Sequence, residues 1–205
     1  MSLSAQLWSE NADLAAEVLA HPFVRGLGDG TLPRERFAVY LAQDAFFLES
    51  FARAYALALA RSADTRSVLV LADLIAGVRE ELGLHASYAA SWGIDMAGVQ
   101  PLPATSAYTE FLLATAATHE VGVIYAAMTP CMRLYAWLGQ SLDPEAAGPY
   151  AQWVRTYADP DFENIARLLE ALLDEQTGDT AAVGHAYRRA MRLELGFFAA
   201  AYEVV

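Results

Sequence analysis

The chain has 205 residues, of which 56% are hydrophobic and 19% charged, a composition that favours a well-buried globular protein over a solvated coiled coil. Its formal net charge of -12 argues against nucleic acid and anionic membrane surfaces as partners, because like charges repel. The one cysteine, Cys131, excludes a disulfide within the chain and fits a reducing compartment, so we expect a cytoplasmic protein.

Targeting and membrane segments are not expected either. Residues 1–6 lack the basic and apolar regions of a signal peptide. The longest apolar stretch, residues 121–132, is interrupted by Thr129 and Pro130 and is shorter than the roughly 20 residues that span a bilayer.

Apolar residues at helical spacing predict helices along nearly the whole chain, with Pro and Gly between them. Pro33 suits a first helical turn, Asp64 a helix cap, and Gly93 and Gly139 helix ends, while residues 21–30 and 93–103 read as loops. The predicted helices span residues 4–19, 33–62, 64–92, 105–119, 120–138, 144–157, 160–175 and 181–202. No repeat or long linker divides the chain, so we expect one all-α domain over residues 1–205, a bundle of about eight helices.

Asp44 lies on the apolar face of the second predicted helix, four residues after Tyr40 and three before Phe47. A buried carboxylate without partners is very unfavourable, so Asp44 requires hydrogen bonds or a charged neighbour. Taken alone, the position fits a structural aspartate bonded to a neighbouring helix as well as a ligand-binding one.

Cys131 follows Pro130 inside the fifth predicted helix. A lone cysteine in an Ala-rich helix usually acts as a small apolar core residue. Pro130 removes one backbone hydrogen bond and clashes with the carbonyl of Ala126, so we expect a kink. Cys131 would then begin a new helical segment, where a thiolate is favoured, with Tyr135 one turn later on the same face.

Glu194 interrupts the apolar stripe of the last predicted helix, formed by Tyr187, Met191, Leu195, Phe198 and Tyr202. A carboxyl group in such surroundings has a raised pKa and can serve as an acid near neutral pH. The alternative is an ion pair of Glu194 with Arg188 or Arg192. Tyr108 and Tyr157, near helix ends, fit the core, but their hydroxyls would also suit a flat heteroaromatic ligand.

A metal site has incomplete support. Glu81 and His85 form a usable ligand pair at i, i+4, but a dinuclear carboxylate site needs a second such set. His119 and Glu120 are adjacent and face different ways, and His185 has no carboxylate one turn away. We therefore expect no metal or other cofactor.

Several segments together resemble the TenA (thiaminase II) family. Residues 40–48 (YLAQDAFFL) match its Gln-Asp pair before an aromatic-rich run, and residues 129–135 (TPCMRLY), followed by Gly139, match its Pro-Cys motif with a tyrosine one turn later. Residues 92–94 (WGI), 108–112 (YTEFL), 153–157 (WVRTY) and 194–198 (ELGFF) fit in order, so the resemblance covers nearly the whole chain.

The resemblance implies a haem-oxygenase-like helical fold, a homotetramer, and cofactor-free hydrolysis of 4-amino-5-aminomethyl-2-methylpyrimidine to the hydroxymethyl pyrimidine in thiamin salvage. By the family pattern, Cys131 is the nucleophile and Glu194 the proton donor. Asp44 and Tyr135 would hold the substrate, and the site would also be lined by Phe47, Tyr108 and Tyr157. Phe47 departs from the family, which often has a tyrosine there whose hydroxyl assists the cysteine.

Two other functions stay open on the sequence. One is a non-catalytic pyrimidine-binding or regulatory protein on the same fold, which the loss of a hydroxyl at Phe47 favours. The other is a helical oxidase that uses a metal or redox cofactor, for which Glu81, His85 and a possible haem ligand at His21 are weak support.

Overall fold

The computed structural model describes residues 1–94 and 98–204, and within them every regular element is helical. The predicted all-α class is therefore confirmed. The elements are α1 (Leu3–Glu10), α2 (Ala12–Ala20), α3 (Pro22–Gly28), α4 (Arg34–Arg61), α5 (Thr65–Trp92), α6 (Pro103–Thr118), α7 (Val121–Ser141), a short 3-10 helix (Gly148–Tyr150), α8 (Ala151–Ala158), α9 (Pro160–Gln176) and α10 (Ala181–Glu203).

The two longest helices, α4 and α5, follow the predicted boundaries closely and pack against each other. Asp64 caps α5, because its Oδ1 accepts a hydrogen bond of 2.9 Å from the Ser67 amide. Gly93 ends α5 in the left-handed conformation with φ 62°, which glycine adopts without steric penalty. The predicted loop that follows includes residues 95–97, which lie outside the described part of the chain.

The N-terminal segment differs from the prediction. One helix was expected over residues 4–19, but Asn11 divides it into α1 and α2, and its Nδ2 donates to the Leu7 carbonyl at 2.8 Å. The predicted loop contains α3, whose first turn holds Pro22 and whose N-cap is His21. The glycines of this segment were interpreted as signs of a loop, but Gly26 lies within α3 and allows close contact with the chain at Leu32. A Cβ at Gly26 would lie 3.1 Å from the Leu32 backbone.

The C-terminal half holds two further corrections. Gly139 does not end its helix, because α7 runs on to Ser141. A Cβ at Gly139 would lie 2.4 Å from the Tyr157 carbonyl carbon, so this glycine allows close contact between α7 and α8. The helix predicted over residues 144–157 is a turn, then the 3-10 helix, then α8; Gly148, with φ 53°, breaks the α-helical pattern.

α7 lies at the centre of the bundle, with most of its side chains buried, and packs against α8, α9 and α10. α4 packs against α5 and α6, and α10 contacts both α4 and α6. This arrangement brings the inward faces of α4, α5, α6, α7 and α10 together, which positions the residues described below. In the described residues, no helix has the length and apolar character to cross a membrane.

Candidate active site

A cavity of about 370 Å³ opens among α4, α5, α7, α8 and α9. A volume of this size suits a small organic ligand. Five residues singled out from the sequence line it: Asp44, Phe47, Cys131, Tyr135 and Tyr157. Tyr108 and Glu194 are buried next to Cys131 but do not line the cavity themselves. No lysine or arginine is among the described residues that line it.

Glu194 joins Cys131 to Tyr108. The Tyr108 hydroxyl donates to Glu194 Oε1 at 2.6 Å, and the Cys131 thiol lies close to the same carboxyl. Burial raises the pKa of Glu194 to about 7, although the contacts with Tyr108 and Cys131 act to lower it. The raised pKa that the sequence predicted is therefore confirmed. The alternative ion pair of Glu194 with Arg188 or Arg192 is not found among the described residues, and Arg188 pairs instead with Asp13 at 2.7 Å.

The surroundings of Cys131 differ from the sequence expectation. α7 continues as one helix through Pro130, so Cys131 does not begin a new helical segment. Burial, followed by the carboxyl groups of Glu194, Glu81 and Asp44, raises the pKa of the thiol well above its usual value. The expected stabilisation of a thiolate by a helix N-terminus was therefore wrong. Deprotonation of Cys131 requires a nearby base to take the proton and hydrogen-bond donors to stabilise the thiolate.

Asp44 is paired with His85 of α5. His85 Nε2 lies 3.3 Å from Asp44 Oδ2, and both side chains are almost fully buried. Burial lowers the pKa of His85 to about 4, so the imidazole is neutral at pH 7 and the contact is not an ion pair. Burial and the neighbouring Glu81 and Glu194 raise the pKa of Asp44 well above its usual range.

The hydroxyl group of Tyr135, which lines the cavity, ends a chain of hydrogen bonds. Trp153 Nε1 donates to the Tyr40 hydroxyl at 3.3 Å, and Tyr40 donates to the Tyr135 hydroxyl at 3.3 Å. Tyr135 is the acceptor in this chain, so its own proton is available to a ligand in the cavity. Tyr157 donates to Glu81, and its ring packs against Tyr135 with centroids 4.8 Å apart.

One group of side chains has the composition of a metal site. Ligand atoms of Asp44, Glu81 and His85 lie within 4.8 Å of one another, the one such group found in the described residues. Glu81 accepts a hydrogen bond from Tyr157, and Asp44 and His85 contact each other. The second ligand set that a dinuclear site needs is missing from the described residues. His21, the possible haem ligand, instead caps α3 by accepting from the Phe23 amide at 3.2 Å.

The sequence did not place all of these residues at the cavity. Glu81 and His85 were considered only as metal ligands, and Tyr40, Trp153 and Tyr55 were not considered as site residues. Tyr40 and Asp44 are one helical turn apart, as are Glu81 and His85, and this spacing was the available signal. Their proximity across α4 and α5 depends on tertiary packing.

Residues 8–204 match the model of the TENA/THI-4/PQQC family. The chain belongs to this family. A protein of Halalkalibacterium halodurans described as an aminopyrimidine aminohydrolase is 30% identical over 215 residues, which cover 98% of this chain and 96% of that protein. The mitochondrial bifunctional TH2 protein of Arabidopsis thaliana is 33% identical, but the match covers 96% of this chain and only 37% of that protein. The chain thus spans about a third of the length of this larger relative.

Solved structures agree with the family and with the predicted fold. A crystal structure from a Silicibacter species, described as a transcription regulator of the TenA family, superposes with a TM-score of 0.91 and 28% identity, covering 97% of this chain and 96% of that one. A Shewanella denitrificans domain of unknown function with a haem-oxygenase-like fold gives a TM-score of 0.66 at 17% identity, covering 97% and 91%. The predicted haem-oxygenase-like fold is confirmed.

Proposed function

We propose that this protein is an aminopyrimidine aminohydrolase of the thiaminase II type. It hydrolyses 4-amino-5-aminomethyl-2-methylpyrimidine to the 5-hydroxymethyl compound and ammonia, a reaction of thiamin salvage. The observation that carries the proposal is the proximity of the buried Glu194 carboxyl to Cys131, which lines the cavity. This contact supplies a nucleophile and a proton carrier at one place, and the Halalkalibacterium relative carries the corresponding description.

The cavity suits an aminopyrimidine. Asp44 and Glu81 line it without any lysine or arginine among the described lining residues, so their carboxyl oxygens can accept hydrogen bonds from an amino or ammonium group without competition from a protein cation. Asp44 accepts from the 4-amino group, and in its protonated form it also donates to the adjacent ring nitrogen. Tyr135 offers its free proton to the ligand, and the rings of Phe47 and Tyr157 provide apolar faces for the pyrimidine.

The reaction begins with a proton transfer from the Cys131 thiol to Glu194, whose pKa of about 7 suits both uptake and release near neutral pH. The thiolate adds to the pyrimidine ring, and Glu194 returns the proton to a ring nitrogen. The exocyclic C–N bond then breaks and the amine leaves as ammonia. Water adds its hydroxyl to the exocyclic carbon, and its other proton leaves with the ammonia as ammonium. The sulfur–ring bond then breaks while the ring nitrogen returns its proton through Glu194 to the Cys131 sulfur, so one water is consumed for each ammonia released.

The proposal includes a homotetramer in the cytoplasm, as the family resemblance implies. A large apolar share of the sequence, 56%, is consistent with contacts between subunits. Light scattering of the purified protein tests the assembly: a mass of four chains supports it, and a monomer at micromolar concentration contradicts it.

The deciding experiment incubates purified protein with 4-amino-5-aminomethyl-2-methylpyrimidine and follows ammonia and the hydroxymethyl product by mass. Cys131→Ser is the control, because serine is close to cysteine in size but is a much weaker nucleophile at neutral pH. Product from the wild type, with loss of at least about 1,000-fold in the variant, supports the reaction and the nucleophile. Turnover of Cys131→Ser at the wild-type rate contradicts the assignment.

A non-catalytic, regulatory role is the second candidate. Two observations favour it: the description of the Silicibacter structure as a transcription regulator, and Phe47, which lacks the hydroxyl that the family often has. Calorimetric titration with the same pyrimidine separates the two functions. Tight binding without product supports the regulatory role, and multiple turnovers exclude it as the main function.

A further inference from the structure

Tyr55 has a buried hydroxyl group to which the proposed reaction assigns no role. Tyr55 lies on α4, its side chain is only 1% exposed, and it lines the same cavity as Cys131. Its hydroxyl is buried and has no hydrogen-bond partner among the described residues. Buried polar groups are nearly always paired, so an unpaired one calls for a physical reason.

The other tyrosine hydroxyls around the cavity are engaged. Tyr108 donates to Glu194, Tyr157 donates to Glu81, and Tyr135 accepts from Tyr40. Two further tyrosines, Tyr88 and Tyr187, also have unpaired buried hydroxyls, but neither lines the cavity. Tyr55 therefore combines a buried, unpaired hydroxyl with a side chain that lines the cavity.

Cys131 needs such a donor. Its thiolate would form in an apolar environment next to carboxyl groups, without a lysine or arginine among the described lining residues. Phe47 lies two helical turns before Tyr55 on α4, lines the same cavity and has no hydroxyl to offer. The rings of Phe47, Phe51 and Tyr55 form a row along α4, with successive centroids 5.1 and 4.6 Å apart, and Tyr55 is the one member of this row that carries a hydrogen-bond donor.

We propose that the Tyr55 hydroxyl donates a hydrogen bond to the Cys131 sulfur when the thiolate forms, and so acts as a catalytic residue in the nucleophilic step. The thiol proton goes to Glu194, and Tyr55 keeps its own proton and supplies only the hydrogen bond. This role deepens the proposed function and rests on it for the substrate, but the thiolate itself can be measured without any substrate.

Electrostatic coupling between the two side chains is consistent with this role. Burial raises the pKa of Tyr55 well above its usual value, and the next largest cause is negative charge on Cys131. The titratable groups around Cys131 come from four other helices: Asp44 and Tyr55 on α4, Glu81 on α5, Tyr108 on α6 and Glu194 on α10. The test must therefore leave all of these residues except Tyr55 unchanged.

The test measures the rate at which iodoacetamide alkylates Cys131 as a function of pH in the protein without substrate. Tyr55→Phe removes only the hydroxyl, and Tyr187→Phe is the matched control, because it removes another unpaired buried hydroxyl away from the cavity. We expect the apparent pKa for alkylation to rise by about one unit or more in Tyr55→Phe, since the thiolate loses a charge-assisted hydrogen bond. Tyr187→Phe should match the wild type.

Stability separates this role from a structural one. Neither hydroxyl has a protein partner, so Tyr55→Phe and Tyr187→Phe should melt at or slightly above the wild-type temperature. With the aminopyrimidine as substrate, Tyr55→Phe should lower kcat about tenfold with little change in KM. A lower melting temperature for Tyr55→Phe with an unchanged alkylation profile would overturn the proposal in favour of a structural tyrosine.

The two proposals fail in different ways. If the wild type releases no ammonia but Tyr55→Phe still shifts the alkylation profile, the substrate is wrong and the role of Tyr55 stands. If the wild type turns over and the profile is the same in both proteins, the reaction stands and Tyr55 does not assist the thiolate. Adding Phe47→Tyr to Tyr55→Phe should restore part of the lost reactivity, because it returns a hydroxyl to the same cavity.

Discussion

The Tyr108 hydroxyl donates a hydrogen bond of 2.6 Å to Glu194, the same carboxyl group that lies close to the Cys131 thiol. Burial raises the pKa of Glu194, the contacts with Tyr108 and Cys131 lower it, and the balance is about 7. Glu194 can therefore hold or release a proton near neutral pH, as a group that serves as a base and then as an acid must do.

Tyr108→Phe should move the acid limb of the pH profile to higher pH. Activity requires ionised Glu194 to accept the thiol proton, so kcat/KM falls below the pKa of this group, and loss of a hydrogen bond to the carboxylate raises that pKa above about 7. We expect a rate about tenfold lower than wild type near pH 6 and a smaller difference near pH 9. An unshifted midpoint in kcat/KM measured across this range would argue against Glu194 as the base.

Glu194→Gln should abolish turnover and yet stabilise the protein at alkaline pH. The folded-state pKa of about 7 lies above the unfolded value of 4.5, so the favourable contribution of the neutral carboxyl is complete below pH 4.5 and is lost as pH rises through 7. The amide has no such charge. Denaturant unfolding should therefore show the variant gaining about 3 kcal/mol relative to wild type between pH 4.5 and 8.

The control for that experiment is Glu110→Gln, which changes an exposed carboxyl on α6 and should alter stability little at either pH. A constant difference in unfolding free energy between Glu194→Gln and wild type over the same pH range would contradict a raised pKa at Glu194.

Phe47→Tyr should raise kcat by about two- to tenfold, because it adds a hydroxyl to the cavity wall where the TenA family often has one. The Phe47 ring packs against Tyr108 with centroids 4.7 Å apart, so a hydroxyl on it lies near the reacting groups. Phe111→Tyr, which adds a hydroxyl away from this cavity, is the control. An unchanged or lower kcat in steady-state assays would show that the hydroxyl has no function at this position.

Purified protein should contain well under one metal ion per chain and keep its activity after dialysis against a chelator. His85 Nε2 lies 3.3 Å from Asp44 Oδ2, and Glu81 accepts from Tyr157, so these side chains contact one another or other protein groups without a metal. Elemental analysis of the wild type and of His85→Gln compares their metal content per chain. Stoichiometric metal that is lost in the variant, with activity restored by metal addition, would favour the helical oxidase.

The sequence predicted the long helices well and their junctions poorly. Asp64 and Gly93 bound α5 as expected, because capping is a local interaction of a few neighbouring residues. Gly139 was misassigned as a helix end, because the reason for a glycine there is the Tyr157 backbone, which only the folded chain brings close. Asn11 was not recognised as a break because asparagine also occurs within helices.

The same distinction applies to the candidate site. Burial of Asp44 and the raised pKa of Glu194 were predictable, since each carboxyl interrupts an apolar stripe on its own helix. The pairing of Asp44 with His85 and the unpaired hydroxyl of Tyr55 depend on contacts between helices, which periodicity does not encode. The roles of these residues in catalysis remain predictions.

Gly139→Ala should destabilise the fold by about 2 to 3 kcal/mol, because its Cβ would meet the Tyr157 and Ala158 backbone at 2.4 to 2.5 Å. Gly184→Ala on α10 is the matched control, since a Cβ there meets nothing within 4 Å, and it should stabilise by up to about 1 kcal/mol. Thermal or urea unfolding measures both, and equal effects of the two substitutions would contradict a close α7–α8 contact.

This main-chain contact also bears on how new specificities could arise. Backbone has no rotamers, so the spacing of α7 and α8, which carry Tyr135 and Tyr157, cannot adapt to a different ligand by repacking. The cavity is also lined by the side chains of Leu48 on α4 and Leu74 on α5, and substitutions at these positions can change the size of the side chain without moving a helix. Directed evolution toward bulkier pyrimidines should therefore accumulate substitutions on α4 and α5 and leave the α7–α8 wall unchanged.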